Sequence, residues 1–186
     1  MKNQPISLFF FMAWLFSADT WEKLGTLETM VENGFGVYAL DLPGFGKSSG
    51  KRLRRNKAAE FLKSFIDMLG LRNFVLIGPS MGGGVALLYS IKYPNDLVGL
   101  VLIAPAGLDD PLIHDNLDKI EVPVLIFWGE NDRVFPLSKG KELEKQLKNA
   151  KLIVCRKARH PCYLDQPKIF HQHLISFLKN IYRSND

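Results

Sequence analysis

Several features that would restrict the function of this chain are scarce or missing in its 186 residues. There are only two cysteines, Cys155 and Cys162, too few for a disulfide framework, so the sequence predicts a cytoplasmic location. The apolar run over residues 6–16 is too short to cross a bilayer. It could form the core of a signal peptide, but we interpret it as a buried first strand.

What is present is typical of one globular domain. Hydrophobic residues make up 47% of the chain and charged residues 23%, and no linker, repeat or low-complexity segment interrupts it. We therefore predict a single domain over residues 1–186. The net charge of +5 favours acidic partners only weakly, and a solvated basic surface explains it equally well.

Strands and helices alternate along the whole chain. Short, continuous apolar runs predict strands at residues 6–11, 35–40, 74–77, 97–103, 122–128 and 151–155. Helical patterns lie between them, including one at 20–32 with Asp19 as its candidate N-cap and one whose start Asn56 can cap. Continuous rather than alternating runs indicate an α/β fold with a doubly wound, mostly parallel sheet, whose chemistry gathers at the carboxyl ends of the strands.

A nucleophile is predicted directly after the third strand. Gly78-Pro79-Ser80-Met81-Gly82 matches G-x-S-x-G between a strand and a helix, where a strained turn exposes the serine hydroxyl. The Met81 N–H, at the start of that helix, would then face the developing oxyanion. A plain glycine-rich turn is the alternative reading.

A serine nucleophile needs a base and an orienting acid. Asp132 and His160 follow the fifth and sixth predicted strands, in the order serine, acid, histidine. Glu130 is a competing carboxylate, whereas His114, His171 and His173 follow no strand. His171 and His173 point apart on a helix, so we predict no metal site.

Basic residues crowd the loop after the second strand: Lys47, Lys51, Arg52, Arg54, Arg55 and Lys57. They are either a solvated loop or a handle for an anionic substrate. No aromatic residues alternate with them, so nucleic acid is not expected. The same loop contains a stretch that resembles the end of a P-loop, Gly44-Phe45-Gly46-Lys47-Ser48. Asp41 occupies the position of the first P-loop glycine, and Pro43 removes a backbone donor, so nucleotide hydrolysis is not expected.

Two stretches resemble the α/β-hydrolase superfamily: residues 20–27 and the motif Asp41-Leu42-Pro43-Gly44-Phe45-Gly46-Lys47-Ser48. The motif His160-Pro161-Cys162-Tyr163-Leu164-Asp165 resembles the compact α/β-hydrolase domain-containing protein 14 family. The resemblance runs from about residue 6 to the end. It implies a serine hydrolase or acyltransferase for small acyl groups, without a cofactor, with Ser80 as nucleophile, Asp132 as acid and His160 as base.

The chain departs from the family pattern in four places. Met12-Ala13 replaces His-Gly after the first strand, so the second oxyanion donor would be the Trp14 N–H, and Ala13 is expected to weaken it. Arg159 replaces a glycine. An N-terminal antiparallel hairpin is expected to be absent, leaving the second strand as an open edge that could pair with another chain. Only residues 104–121 lie where relatives insert a cap, which predicts an open pocket.

The sequence thus predicts a hydrolase of short acyl esters or thioesters that acts on a small-molecule substrate and needs neither nucleic acid nor a membrane. A weak or inactive binding protein on the same fold is the alternative function.

Overall fold

Six parallel strands form one sheet in the computed structural model, which describes residues 7–12 and 17–184. The strands are β1 (Ser7–Met12), β2 (Gly36–Asp41), β3 (Phe74–Pro79), β4 (Leu97–Ile103), β5 (Val124–Gly129) and β6 (Ala150–Cys155). Their order across the sheet is β2-β1-β3-β4-β5-β6, and every pair of neighbours is parallel. The predicted α/β fold with a parallel sheet is confirmed.

Helices cover both faces of the sheet. They are α1 (Ala18–Lys23), α2 (Thr26–Glu32), α3 (Arg55–Met68), α4 (Met81–Lys92), α5 (Pro111–His114), α6 (Leu137–Gln146), α7 (Cys162–Asp165) and α8 (Pro167–Ser184). One hydrophobic core contains residues of α3, α4 and α6, and the other contains residues of α1, α2, α7 and α8.

The apolar runs are continuous because each strand serves both cores. In β3, Leu76 belongs to the first core, while Val75 and Ile77 belong to the second, and all three are fully buried. Successive side chains of a strand point to opposite faces, so a strand between two helix layers needs apolar residues at every position.

Two helix starts differ from the sequence predictions. The single helix predicted at 20–32 is two helices, because Gly25 adopts a left-handed conformation (φ 69°) between them. Ser17, not Asp19, is the N-cap of α1, and the Asp19 carboxylate instead accepts a hydrogen bond from Lys47 Nζ at 2.8 Å. Arg54, not Asn56, is the N-cap of α3.

The strand order reverses beside β1, which has β2 on one side and β3 on the other. Open parallel sheets bind ligands in the crevice at such a switch point, beyond the carboxyl ends of the strands. The segment between β4 and β5 holds only α5 and one short 3₁₀ turn at Leu117–Lys119. Over residues 7–12 and 17–184, no helix is long and apolar enough to span a membrane.

Candidate active site

Ser80 lies in the tight turn between β3 and α4 and has an unusual backbone conformation, with φ 48° and ψ −118°. A non-glycine residue at positive φ is strained and persists only where its surroundings hold it. The Ser80 N–H donates to the Ile103 carbonyl at 2.8 Å, and the Ser80 carbonyl accepts from Ala106 N–H at 2.9 Å. The loop after β4 therefore clamps the strained turn.

Gly78 permits the turn to close. A Cβ atom at position 78 would lie 2.7 Å from the Gly82 backbone, closer than real Cβ contacts allow. Gly83 and Gly84 continue the close packing at the start of α4. A Cβ atom at Gly83 would crowd Pro105 of the loop after β4 and the Gly78 carbonyl oxygen of β3, and one at Gly84 would crowd Ala106 and the Arg55 side chain.

His160 links Ser80 to Asp132. Its Nε2 atom lies 2.9 Å from Ser80 Oγ, and its Nδ1 atom lies 2.7 Å from Asp132 Oδ2. The Asp132 side chain is fully buried and the His160 side chain is 18% exposed. The Phe135 ring packs edge-on against the imidazole, with ring centroids 5.3 Å apart. These contacts fix the imidazole between one hydroxyl and one carboxylate.

Asp132 is held by the backbone of its own loop. Its Oδ1 atom accepts hydrogen bonds from the N–H groups of Val134 at 2.8 Å and Phe135 at 2.9 Å, leaving Oδ2 for the imidazole. The competing carboxylate, Glu130, is exposed and accepts from Lys157 N–H at 2.8 Å. Of the two, Asp132 is the one in contact with His160.

Gly129 brings the Asp132 and His160 loops together, a role the sequence analysis missed. A Cβ atom there would lie 2.1 Å from the Arg159 carbonyl oxygen and 2.6 Å from that of Ala158. Asn131 N–H also donates to the Ala158 carbonyl at 2.8 Å. The glycine that ends β5 therefore lets the segment before His160 pass directly over the segment before Asp132.

Arg159, which replaces a glycine of the family pattern, makes a specific contact. Its guanidinium binds both carboxylate oxygens of Asp165, and its own N–H donates to Asp165 Oδ2 at 2.8 Å. The hydrogen bonds from Arg159 hold the pKa of Asp165 below its ordinary value. The residue of this loop with positive φ is Lys157, not Arg159, so the position does not require a glycine.

Asp41, the first residue of the Asp-x-Pro-Gly-x-Gly-x-Ser motif, is buried and joins two loops. One carboxylate oxygen accepts from Ala18 N–H at 2.7 Å and the other from Lys47 N–H at 3.0 Å, while its carbonyl accepts from Ser48 Oγ at 2.6 Å. Ala18 is the first residue of α1, shortly after the segment predicted to carry an oxyanion donor. The motif thus ties the start of α1 to the loop after β2.

Of the two predicted oxyanion donors, Met81 lies among the described residues. Met81 is the first residue of α4, so its N–H is one of those that a helix leaves without an intrahelical acceptor. The predicted Trp14 donor and Ala13 lie outside the described residues. The effect of Ala13 on the oxyanion hole therefore stays a prediction.

The two cysteines are free thiols buried under the histidine loop. A hydrogen bond with Cys155 and burial raise the pKa of Cys162 and keep it protonated, so it is a poor nucleophile. Among the described residues, no group of three histidine, cysteine or acidic side chains could hold a metal ion. His171 contacts Thr26 Oγ1 at 2.8 Å, and His114 contacts Asp115 at 2.9 Å.

Family models match the two halves of the chain. The model described as alpha/beta hydrolase fold matches residues 7–119, and one described as TAP-like protein matches residues 104–184.

Individual relatives match nearly the whole chain. "Protein ABHD14A" of Danio rerio is 37% identical over 89% of this chain and 62% of its own length. "Putative protein-lysine deacylase ABHD14B" of Rattus norvegicus is 35% identical over 89% of this chain and 80% of its own. The crystal structure of a "predicted CIB-like hydrolase" from Thermoplasma acidophilum superposes with a TM-score of 0.89 at 28% identity, covering 97% of this chain and 89% of that one. The chain spans about three fifths of the ABHD14A proteins of Danio rerio and Homo sapiens.

Proposed function

The chain belongs to the α/β-hydrolase family, in its ABHD14-like branch, and from this membership we propose that it is a serine hydrolase of short acyl esters or thioesters. The observation that carries the proposal is the unbroken series of contacts from Ser80 Oγ through His160 to Asp132, at 2.9 and 2.7 Å, with Ser80 held at positive φ. That is the arrangement a Ser-His-Asp triad requires.

In the proposed reaction, Ser80 Oγ attacks the acyl carbonyl carbon while His160 Nε2 takes the hydroxyl proton. Asp132 Oδ2 accepts a hydrogen bond from His160 Nδ1–H, which keeps the proton on Nδ1 and leaves Nε2 free to act as the base, and the carboxylate stabilises the imidazolium once it forms. The carbonyl oxygen becomes an oxyanion facing the Met81 N–H, with the Trp14 N–H as the second proposed donor.

The tetrahedral intermediate then expels the leaving group, which takes the proton from His160, and the acyl group remains on Ser80. Water attacks this acyl-enzyme with His160 again as base, and the acid is released. Each step uses only side chains and backbone N–H groups of this chain, so we propose that no cofactor takes part.

The leaving group can be an alcohol, a thiol or an amine. One relative carries a name that describes a protein-lysine deacylase, which makes acyl-lysine a further candidate substrate alongside esters and thioesters. We also propose a cytoplasmic location, supported by the two buried cysteines, which are free thiols and not a disulfide.

The test is the variant Ser80→Ala, examined with a fluorophosphonate probe and a short aryl ester. The parent protein should be labelled and should hydrolyse the ester, and the variant should do neither while its circular dichroism and unfolding midpoint stay near those of the parent. The alternative, a binding protein on the same fold, predicts an unlabelled parent. Labelling or turnover that survives in Ser80→Ala would show that the nucleophile is a different residue.

A further inference from the structure

We propose that the cavity beside Ser80 accepts a short acyl chain that ends in a carboxylate, and that Arg54 is the residue that selects this carboxylate. The inference rests on the proposed hydrolase function and specifies its substrate class, with acyl groups of the size of succinyl as the type.

The cavity has a volume of about 230 Å³ and lies between the loop after β2, the start of α3 and the start of α4. Its apolar wall consists of Leu42, Phe45, Leu53, Ala58, Met81 and Val85. Drug-sized ligands occupy pockets of about 300–1,000 Å³, so this one suits a chain of a few carbon atoms. Met81 lines the cavity and directly follows Ser80 in the chain, so the wall of the cavity includes the residue next to the nucleophile.

The position of the cavity in the sheet assigns it to the acyl group. His160 reaches Ser80 from the β6 side of the sheet, whereas Leu42 and Phe45 come from the β2 side, at the opposite edge. Because His160 must protonate the leaving group, that group leaves on the β6 side. The acyl chain then extends the other way, into the cavity.

Two arginines near the cavity are already engaged. The Arg52 guanidinium lies over the Phe45 ring, 4.7 Å from its centroid. Arg55 pairs with Asp110 at 2.7 Å and is enclosed by backbone, since a Cβ at Gly107 would lie 2.4 Å from its Cζ. These two residues hold the wall of the cavity in place.

Arg54 differs from both. It lines the cavity and is exposed, and within residues 7–12 and 17–184 it forms no ion pair. It is also the N-cap of α3, whose first turn carries no acidic residue, so the helix dipole adds to its positive potential. A chain with a terminal carboxylate would place its methylene groups on the apolar wall and its charge at Arg54, where a charge-assisted hydrogen bond forms.

The kinetic test compares two esters of the same phenol: the succinate half-ester and the 4-oxopentanoate ester. The two acyl groups have nearly the same shape, but only the first carries a distal charge. Arg54→Gln should raise the KM of the succinate ester about tenfold, the size expected for losing a hydrogen bond to a charged group, and leave that of the neutral ester unchanged. Spontaneous hydrolysis of each ester is subtracted.

Lys51→Gln is the matched control, because Lys51 is an exposed cation of the same loop that does not line the cavity. It should alter neither KM. The proposal would be overturned if Arg54→Gln changed the KM of both esters equally, or if the two variants changed the KM of the succinate ester equally. The basic loop would then attract anions through its overall charge and not through Arg54.

A binding measurement separates this proposal from the proposed function. Calorimetry on the parent protein would compare N-methylsuccinamate with its neutral counterpart N-methyl-4-oxopentanamide. The anionic amide should bind more tightly, and Arg54→Gln should abolish the difference. If neither ester is hydrolysed, the proposed function fails while this preference still decides the role of Arg54. Equal binding of the two amides by the parent overturns the role of Arg54, whatever the enzyme hydrolyses.

Discussion

At the scale of single residues, the carboxylate of Asp132 divides its two oxygen atoms between two tasks. Oδ1 accepts the N–H groups of Val134 and Phe135, and Oδ2 contacts His160. An asparagine can keep the first task but places an NH₂ donor against Nδ1, which forces the proton of a neutral imidazole onto Nε2. In the proposed mechanism the histidine could then no longer accept the proton of Ser80.

Asp132→Asn should therefore lower kcat for a short ester by roughly 10⁴-fold with little change in unfolding free energy, as expected when the wrong tautomer is held in an intact triad. Glu130→Gln is the control, since Glu130 is exposed and its carboxylate accepts a hydrogen bond from Lys157 N–H. A larger loss in Glu130→Gln than in Asp132→Asn would mean that the acid has been misassigned.

The sequence could point to Ser80, Asp132 and His160 because each follows a strand, and the carboxyl ends of parallel strands share one edge. The sequence could not reveal which hydrogen bonds the carboxylates of Asp41 and Asp165 form. Their partners, Ala18 N–H and Arg159, are set by how two loops fold against each other, and neither loop has a periodic pattern. The Asp-x-Pro-Gly-x-Gly-x-Ser motif indicated membership of a family, but it did not predict the contact between Asp41 and Ala18.

At the scale of elements, the close packing of the loops after β5 and β6 depends on one glycine. In Gly129→Ala the new methyl group would meet the Arg159 carbonyl oxygen, so the segment before His160 must move. Overpacking of this kind costs about 1–3 kcal/mol. We expect a lower unfolding midpoint in urea and a kcat loss larger than that stability change explains.

Gly36→Ala is the matched control for this substitution. A Cβ atom at position 36 would lie 3.5 Å from Ser7 Oγ, an ordinary contact, and β2 is at the far edge of the sheet from His160. It should leave kcat near the parent value. An active Gly129→Ala protein would show that the two loops can separate without disturbing the histidine.

All six strands were predictable from their apolar runs. The pattern is plainest in β3 and β5, where every residue is buried, and it persists in the edge strands β2 and β6 although some of their residues are exposed. Helix starts were not. Asp19 and Asn56 are good capping residues by type, yet Asp19 pairs with Lys47 and Asn56 Oδ1 accepts from Lys57 N–H inside the helix. A tertiary contact overrides the capping preference of Asp19, whereas Asn56 is the second residue of the helix and makes a local contact with its neighbour. The break at Gly25 depends on a left-handed backbone conformation that composition does not encode.

At the scale of the whole molecule, α8 closes one face of the sheet and meets α2 through His171 Nε2 and Thr26 Oγ1, 2.8 Å apart. Burial lowers the pKa of His171 from its ordinary value of 6.5. At a pH between the folded and the unfolded pKa, the unfolded chain therefore binds more protons than the folded one. The stability that the neutral imidazole contributes is complete above pH 6.5 and is lost as the pH falls below that value.

Unfolding free energies measured in urea should thus fall from about pH 7.5 to about pH 5.5, and His171→Gln should show a smaller fall than the parent. His173→Gln, which removes an imidazole from the same helix, should keep the slope of the parent. Identical slopes in the parent and His171→Gln would place the pH dependence elsewhere.

The sheet edge at β2 also belongs to this scale. Within the described residues β2 has a neighbour on one side only, and Tyr38 on that strand is 37% exposed. Pairing of two chains through this edge, giving a homo-oligomer, stays a prediction that sedimentation can check.

The three contacting side chains are contributed by distant parts of the chain: Ser80 and His160 are 80 residues apart, and Asp132 lies 28 before His160. A cut between α5 and the following 3₁₀ turn would leave Ser80 on one fragment and both partners on the other. Under the proposed mechanism, neither piece could then turn over an ester alone. Fused to two proteins that bind each other, the fragments would regain hydrolysis only on being brought together, so the division of the site between β3 and β5–β6 makes this small domain a candidate split reporter.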